Sequence, residues 1–243
     1  KWKQAPEYGS SLDNRLGYQY LAGIALEKAN MRKINMKLKL NVGNYLLPYY
    51  LGTDESDYIP QKSDAVNRGS GDGEISVYYY YYDVETSGIP KVSLGEYANR
   101  EEIYRRFVYD RYLYLPSSTM NYYKTILDEN DFGETTEEKI KSILEYVRSH
   151  AVYDLNYDRS LDKTSDVAVS FLRDYGEGVC QHFATAGTAL FRAAGIPARY
   201  TIGWVTRTEA GKWVKQKGAA HAWVEIYIDG IGWMHVDPTP TSA

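Results

Sequence analysis

One cysteine in 243 residues rules out an internal disulfide, and no Cys/His cluster offers a zinc site. The apolar runs are too short to span a membrane, and the first residues lack the charged-then-apolar pattern of a signal peptide. A basic excess is missing as well. Lys and Arg number 28 against 32 Asp and Glu, a net charge of −4 with no long basic run, which argues against a nucleic-acid partner. Phenylalanine is scarce, with 5 residues against 25 tyrosines. Tyrosine buries a ring while keeping a wettable hydroxyl, so this bias fits half-exposed β surfaces or a face that binds peptide or carbohydrate. No cofactor is called for.

Two halves of the chain follow different patterns. Residues 1–92 read as a β-rich domain. Ile34–Val42 (INMKLKLNV) alternates polar and apolar residues, the period of a strand with one wet face. Gly69–Gly73 (GSGDG) fails the G-x-G-x-x-G spacing and leads into a strand, so it reads as a hairpin loop and not a phosphate cradle. Residues 93–115 form a helical connector, with Tyr97, Ile103, Tyr104, Phe107 and Val108 near one face and Pro116 closing it.

Residues 116–243 carry the chemistry. A short helix is expected in SSTMNYYKTILDEN. In ETTEEKIKSILEYVRSH, Thr135 and Glu138 make a capping box ahead of an apolar stripe of Ile140, Ile143, Leu144 and Val147. Asp154, Asn156 and Asp158 open a calcium-like loop, but Arg159 and Ser165 stand where glycine and glutamate are required, so it reads as a solvated loop.

The cysteine lies in GEGVCQHFATAGTALFRAAGIPARY. Gly178 gives way to a helix over about Val179–Ala194, with Gly195 as its C′ residue and Pro197 as its stop. Its buried stripe is Phe183, Ala186, Gly187, Leu190 and Ala194. Cys180 therefore falls in the first helical turn, where the helix dipole and free N–H groups favour a thiolate and can stabilise an oxyanion. A free cysteine is also common core filling. A base has to decide between these readings.

His182 is two residues away and points roughly 200° around the helix, a poor base for this thiol. His150 ends a helix and reads as a dipole residue. His221 and His235 lie in AAHAWVEIYIDGIGWMHVDPTP, which reads as a hairpin. A two-residue Asp229-Gly230 loop sends Asp237 to the face opposite His221. An odd loop at Ile228-Asp229-Gly230, with Gly230 in the left-handed region, sets His221 against Asp237, where a carboxylate fixes the imidazole tautomer. It also keeps Val224, Ile226, Met234 and Val236 on the other face, so this register is expected. His235 faces Trp223 and is a fallback base. Trp223 and Trp233 pack around the site or fill the core, and Glu225 is a solvated or paired edge charge.

GEGVCQHFA, RAAGIPARY, HAWVEIY and GWMHVDPT resemble, in order and spacing, the transglutaminase-like (transglutaminase-core) superfamily. Cys180 and His221 are 41 residues apart, and His221 and Asp237 are 16 apart. The resemblance covers about residues 115–243. It implies an α+β, papain-like domain with helices packed on an antiparallel sheet, and a catalytic triad of Cys180, His221 and Asp237. It also implies a protein or peptide substrate processed through a thioester by peptidase, amidase or transglutaminase chemistry. The Tyr-rich first half resembles the extracytoplasmic part of bacterial membrane-anchored members, which implies a cell-surface domain of a membrane-tethered protein. Asp174 stands where papain-like proteases place an oxyanion-hole glutamine, so the second oxyanion donor is unassigned. A non-catalytic ectodomain that binds peptide or glycan is the competing reading.

Overall fold

The computed structural model describes residues 31–38, 73–80, 83–91, 98–215 and 219–240. The chain divides into two compact units, one reaching Arg111 and taking in Tyr227–Met234, the other formed by Tyr112–Ile226 with His235–Ala243.

In the first unit, β1 (Met31–Leu38) pairs antiparallel with β2 (Gly73–Tyr80), from Met31 opposite Tyr80 to Leu38 opposite Gly73. Residues 39–42 of the expected first strand and most of the GSGDG loop lie outside the described residues. A short helix, α1 (Val84–Ser87), is capped by the Asp83 carboxylate. Helix α2 (Ala98–Tyr112) buries Tyr104, Phe107 and Val108 as its spacing predicts, while Tyr97 of the expected stripe lies outside the described residues. Ile103 departs from the expected stripe and is 52% exposed. In its place Glu101 turns inward, 3% exposed, accepting from the Tyr227 hydroxyl and the Gly230 N–H, each at 3.0 Å. A carboxylate is tolerated there because its oxygens have polar partners.

The second unit is built around one helix. Helices α3 (Ser117–Glu129) and α4 (Thr136–Ser149) precede β3 (Val152–Tyr153), and α5 (Val167–Ser170) runs into a π-helical turn, Phe171–Tyr175. Then come β4 (Glu177–Gly178), α6 (Cys180–Ala193), β5 (Ala198–Val205), β6 (Ala219–Ile228) and β7 (Gly232–Val236), of which residues 227–228 and 232–234 fall in the first unit. The Thr135–Glu138 capping box starts α4, whose four stripe residues are all at most 1% exposed. Helix α6 packs against α3, α4 and β5. Phe183, Leu190 and Phe191 on it are fully buried, each contributing roughly 1.5–3 kcal/mol. Its C-terminus closes as a Schellman motif, with Gly195 at φ 82° and the Ile196 N–H bonded to the Phe191 carbonyl at 2.9 Å. Buried Arg192 donates to the carbonyls of Ala198 and Tyr114, and desolvation lowers its pKa to about 10.

Strands β5, β6 and β7 form an antiparallel sheet in that order, with Gly203 opposite His221 in the β5–β6 ladder. Helices on an antiparallel sheet agree with the α+β expectation. Strand β6 ends at Ile228 and β7 begins at Gly232, so the turn is Asp229-Gly230-Ile231, one residue later than expected. The Ile231 N–H bonds back to the Ile228 carbonyl at 2.9 Å around Gly230 at φ 75°. Gly232, where the chain re-enters the sheet, also has a positive φ of 111°. Val224, Ile226, Met234 and Val236 are all buried.

Candidate active site

The thiol owes its place to the four residues before it. Gly176, at φ 68°, ends the π-helical turn through its N–H to the Phe171 carbonyl. Strand β4 then pairs in parallel with β3, the Asp154 N–H donating to the Gly178 carbonyl at 2.9 Å. Val179 stays extended as the N-cap (φ −118°, ψ 176°), and Cys180 is the first helical residue. It is partly accessible. Tyr153 and Tyr200 are its neighbours: burial, and then electrostatic coupling to Cys180, push both hydroxyls up from their ordinary pKa.

His221 and Asp237 come together as one pair. His221 Nε2 lies 2.6 Å from Asp237 Oδ2, and Asp237 Oδ1 accepts from the Thr239 N–H at 2.9 Å. The hydrogen bond to Asp237 raises the His221 pKa against the opposing pull of burial. Burial pushes the Asp237 carboxyl up, but hydrogen bonds from His221 and Thr239 outweigh it and hold the group below its ordinary value. The Asp237 carbonyl is anchored by the Arg148 guanidinium of α4. Gly187 brings this segment onto α6, since a Cβ there would lie 2.9 Å from Pro238 Cγ. The link from thiol to imidazole is not among the hydrogen bonds of the described residues.

Trp223 lies beside His221 with ring centroids 6.3 Å apart, and 5.8 Å from the ring of His235. Its indole crosses Gly203, where a Cβ would stand 2.6 Å away, so glycine is needed opposite His221. Trp233 is core in the first unit, buried and donating to the Tyr104 hydroxyl at 2.9 Å. Glu225 is paired with Arg199, and the pair is buried, not a solvated edge. His150 caps α4, its Nδ1 2.8 Å from the Tyr146 carbonyl. Asp174 grips Arg173 through both oxygens at 2.8 Å, so it is an acceptor already in use and not an oxyanion donor.

His182 has a place in the helix start that its failure as a base does not reveal. It is 2% exposed, with Nδ1 accepting from the Val179 N–H at 3.0 Å and Nε2 2.9 Å from Asp162 Oδ1. The available signal was its place three residues after an N-cap that has no side-chain acceptor of its own. Asp162 comes from the calcium-like stretch, where Asp154 and Asp158 instead accept from the N–H groups of Asn156 and Ser160. Among the described residues no group of three or more His, Cys, Asp or Glu is arranged to hold a metal, and no helix is long and apolar enough to cross a membrane.

Residues 126–238 match the family described as the transglutaminase-like superfamily. YebA of Bacillus subtilis, itself uncharacterized, is 30% identical over 139 residues, 54% of this chain and 19% of that protein. A protein-glutamine gamma-glutamyltransferase of Pseudomonas aeruginosa is 41% identical over 78 residues, 31% of this chain and 12% of that protein. The chain thus spans less than a fifth of the length of these two relatives. The periplasmic domain of TgpA from Pseudomonas aeruginosa shares the fold at a TM-score of 0.55 and 20% identity, covering 86% of this chain and 68% of that one. Its ethylmercury-bound form gives a TM-score of 0.53.

Proposed function

We propose that the protein is a thiol-dependent acyl-transfer enzyme with Cys180 as nucleophile, His221 as base and Asp237 as its orienting partner, a reading supported by the match of residues 126–238 to the transglutaminase-like superfamily. The observation that carries this reading is the 2.6 Å bond between His221 Nε2 and Asp237. It commits one ring nitrogen and leaves Nδ1 to exchange a proton with the thiol. Cys180 Sγ then attacks a carboxamide or peptide carbonyl, and the oxyanion meets the Cys180 backbone N–H at the helix start. As the C–N bond breaks, the imidazolium protonates the departing amine and a thioester remains. Water resolves it in a peptidase or amidase; a primary amine resolves it in a transglutaminase.

Hydrolysis is the favoured branch, because water is always present while an amine needs a site of its own. The substrate is a protein or peptide, met outside the cytoplasm by a domain of a membrane-tethered protein. The likeness to a periplasmic domain supports that placement. The deciding experiment is product analysis on a glutamine-containing peptide, with and without a primary amine, against Cys180→Ala. Deamidated or cleaved peptide means hydrolysis, and amine adduct means transamidation. If neither product exceeds the Cys180→Ala background, the acyl-transfer reading is wrong and a binding ectodomain replaces it.

A further inference from the structure

The chain holds a second histidine–aspartate pair, at the start of the helix that carries the thiol. Every proton in it is assignable. The Val179 N–H can only donate, so His182 Nδ1 is the acceptor and the ring proton sits on Nε2, directed at Asp162. The other Asp162 oxygen accepts from the Tyr157 hydroxyl at 2.8 Å, and Arg159 donates to that hydroxyl at 2.6 Å. The Arg159 guanidinium also lies 4.2 Å from the Tyr157 ring centroid. Tyr157 and Phe171 hold the imidazole from two sides, at 4.7 and 5.7 Å between centroids. Gly178 completes the enclosure, since a Cβ there would stand 2.6 Å from Nδ1.

A helix start needs acceptors for its first N–H groups, and side chains at the N-cap ordinarily supply them. Val179 has none, so the third helical residue reaches back instead. In α4 that reach is made by a carboxylate, Glu138. A carboxylate two residues from a nucleophilic cysteine would disfavour the thiolate. A neutral imidazole does the same capping without charge. Protonating it would turn Nδ1 into a donor facing another donor, so the cap exists only in the neutral form.

We propose that His182, held by Asp162, is a positioning residue for the thiol: an uncharged cap that fixes the first turn of α6 so that Cys180 keeps its place at the helix start. This rests on the acyl-transfer reading, which gives the thiol its task. The single cysteine makes the test direct, because alkylation by iodoacetamide reports Cys180 alone. The rate is measured against pH for the wild type, His182→Phe and His182→Gln, with thermal melts alongside. Phenylalanine keeps the ring packing and deletes the acceptor, while glutamine restores a neutral acceptor at the same helical position. His182→Phe should raise the midpoint of alkylation by about one pH unit and slow the reaction roughly tenfold at pH 7. His182→Gln should recover most of this.

Should His182→Phe not fold, Asp162→Ala takes its place, since the Asp162 side chain is 45% exposed; a roughly threefold slowing is expected as the ring loses its anchor. Variants that melt earlier yet alkylate with the wild-type midpoint and rate overturn the proposal and leave the acyl-transfer reading standing. A wild-type midpoint at the ordinary thiol value of about 8.5 overturns both.

Discussion

His182 and His221 each offer Nε2 to an aspartate, and they differ in what happens to the other nitrogen. His182 Nδ1 is taken by a backbone N–H, inside a ring of aromatic neighbours, with its side chain 3% exposed. His221 has no second hydrogen bond among the described residues, and its side chain is 19% exposed. The same two residue types therefore serve opposite ends. With both nitrogens committed, the tautomer is fixed and the ring is a strut. With one left over and accessible, the ring can carry a proton from one atom to another. What separates the structural histidine from the proposed base here is the unused lone pair, not the neighbouring carboxylate.

That comparison breaks most visibly if the two histidines are exchangeable in kinetics. His221→Ala should lower kcat/KM for acyl transfer by about 10²–10⁴, the range of a lost general base. His182→Gln should stay within roughly tenfold of wild type, because a neutral cap survives. Equal losses in the two variants, read from initial rates on the peptide substrate, would erase the distinction.

Asp237→Asn tests the carboxylate. It should cost about 10²-fold or more in kcat/KM, because the amide no longer stabilises an imidazolium. Asp237 raises the His221 pKa, so the stability it lends is fully present below about pH 6.5 and disappears as pH rises through the raised native value. The depressed Asp237 carboxyl behaves in the opposite sense, stabilising above about pH 4 and losing its effect as pH falls through its native value. In Asp237→Asn the His221 titration, followed by NMR, should therefore move down. The alkaline edge of activity, where the imidazolium is lost, should move with it. An unmoved His221 titration would mean that the carboxylate does not set its charge.

Each pair also leans on one glycine, and the two substitutions form a matched set. Gly178→Ala pushes a Cβ against His182 Nδ1 at 2.6 Å and Phe171 Cε2 at 3.0 Å, on a ring that is held at both ends. Gly187→Ala gains about 1 kcal/mol of helix propensity but meets Pro238 at 2.9 and 3.2 Å, and a proline ring cannot swing aside. Overpacking costs about 1–3 kcal/mol, so both variants should lose stability, Gly178→Ala the more. Denaturant melts rank them; a stabilised Gly187→Ala would show that the Asp237 segment is free to shift.

How far these features could be read in advance depended on how local their causes are. The α4 capping box and stripe are short-range, and every named residue lies where its spacing puts it. The hairpin was legible in parity: Gly230 takes positive φ and His221 meets Asp237, although the turn starts one residue later and Gly232 is a second positive-φ position. Glu101 was illegible because what justifies burying it, Tyr227 and Gly230, lies more than a hundred residues along the chain. His182 failed differently. Helical geometry correctly turns it away from Cys180, but geometry alone is silent on a partner such as Asp162, drawn from a loop read as solvated.

The smallest effect separates capping as such from capping at the thiol. Helices α4 and α6 both start with a side chain at the third position reaching back to the N-cap, Glu138 in one and His182 in the other. Thr135→Ala removes the N-cap oxygen that accepts from the Glu138 N–H and should cost about 1 kcal/mol. Glu138 keeps its bonds to the Glu134 and Thr135 N–H groups, at 3.1 and 2.9 Å, so α4 frays without being lost. Alkylation of Cys180 should keep its wild-type midpoint, because the change reaches neither the first turn of α6 nor the His221 pair. A thermal melt lowered by a few degrees beside an unchanged alkylation profile is the expected result. If the midpoint moves as it does in His182→Phe, general loosening governs the thiol, and the neutral cap loses its special claim.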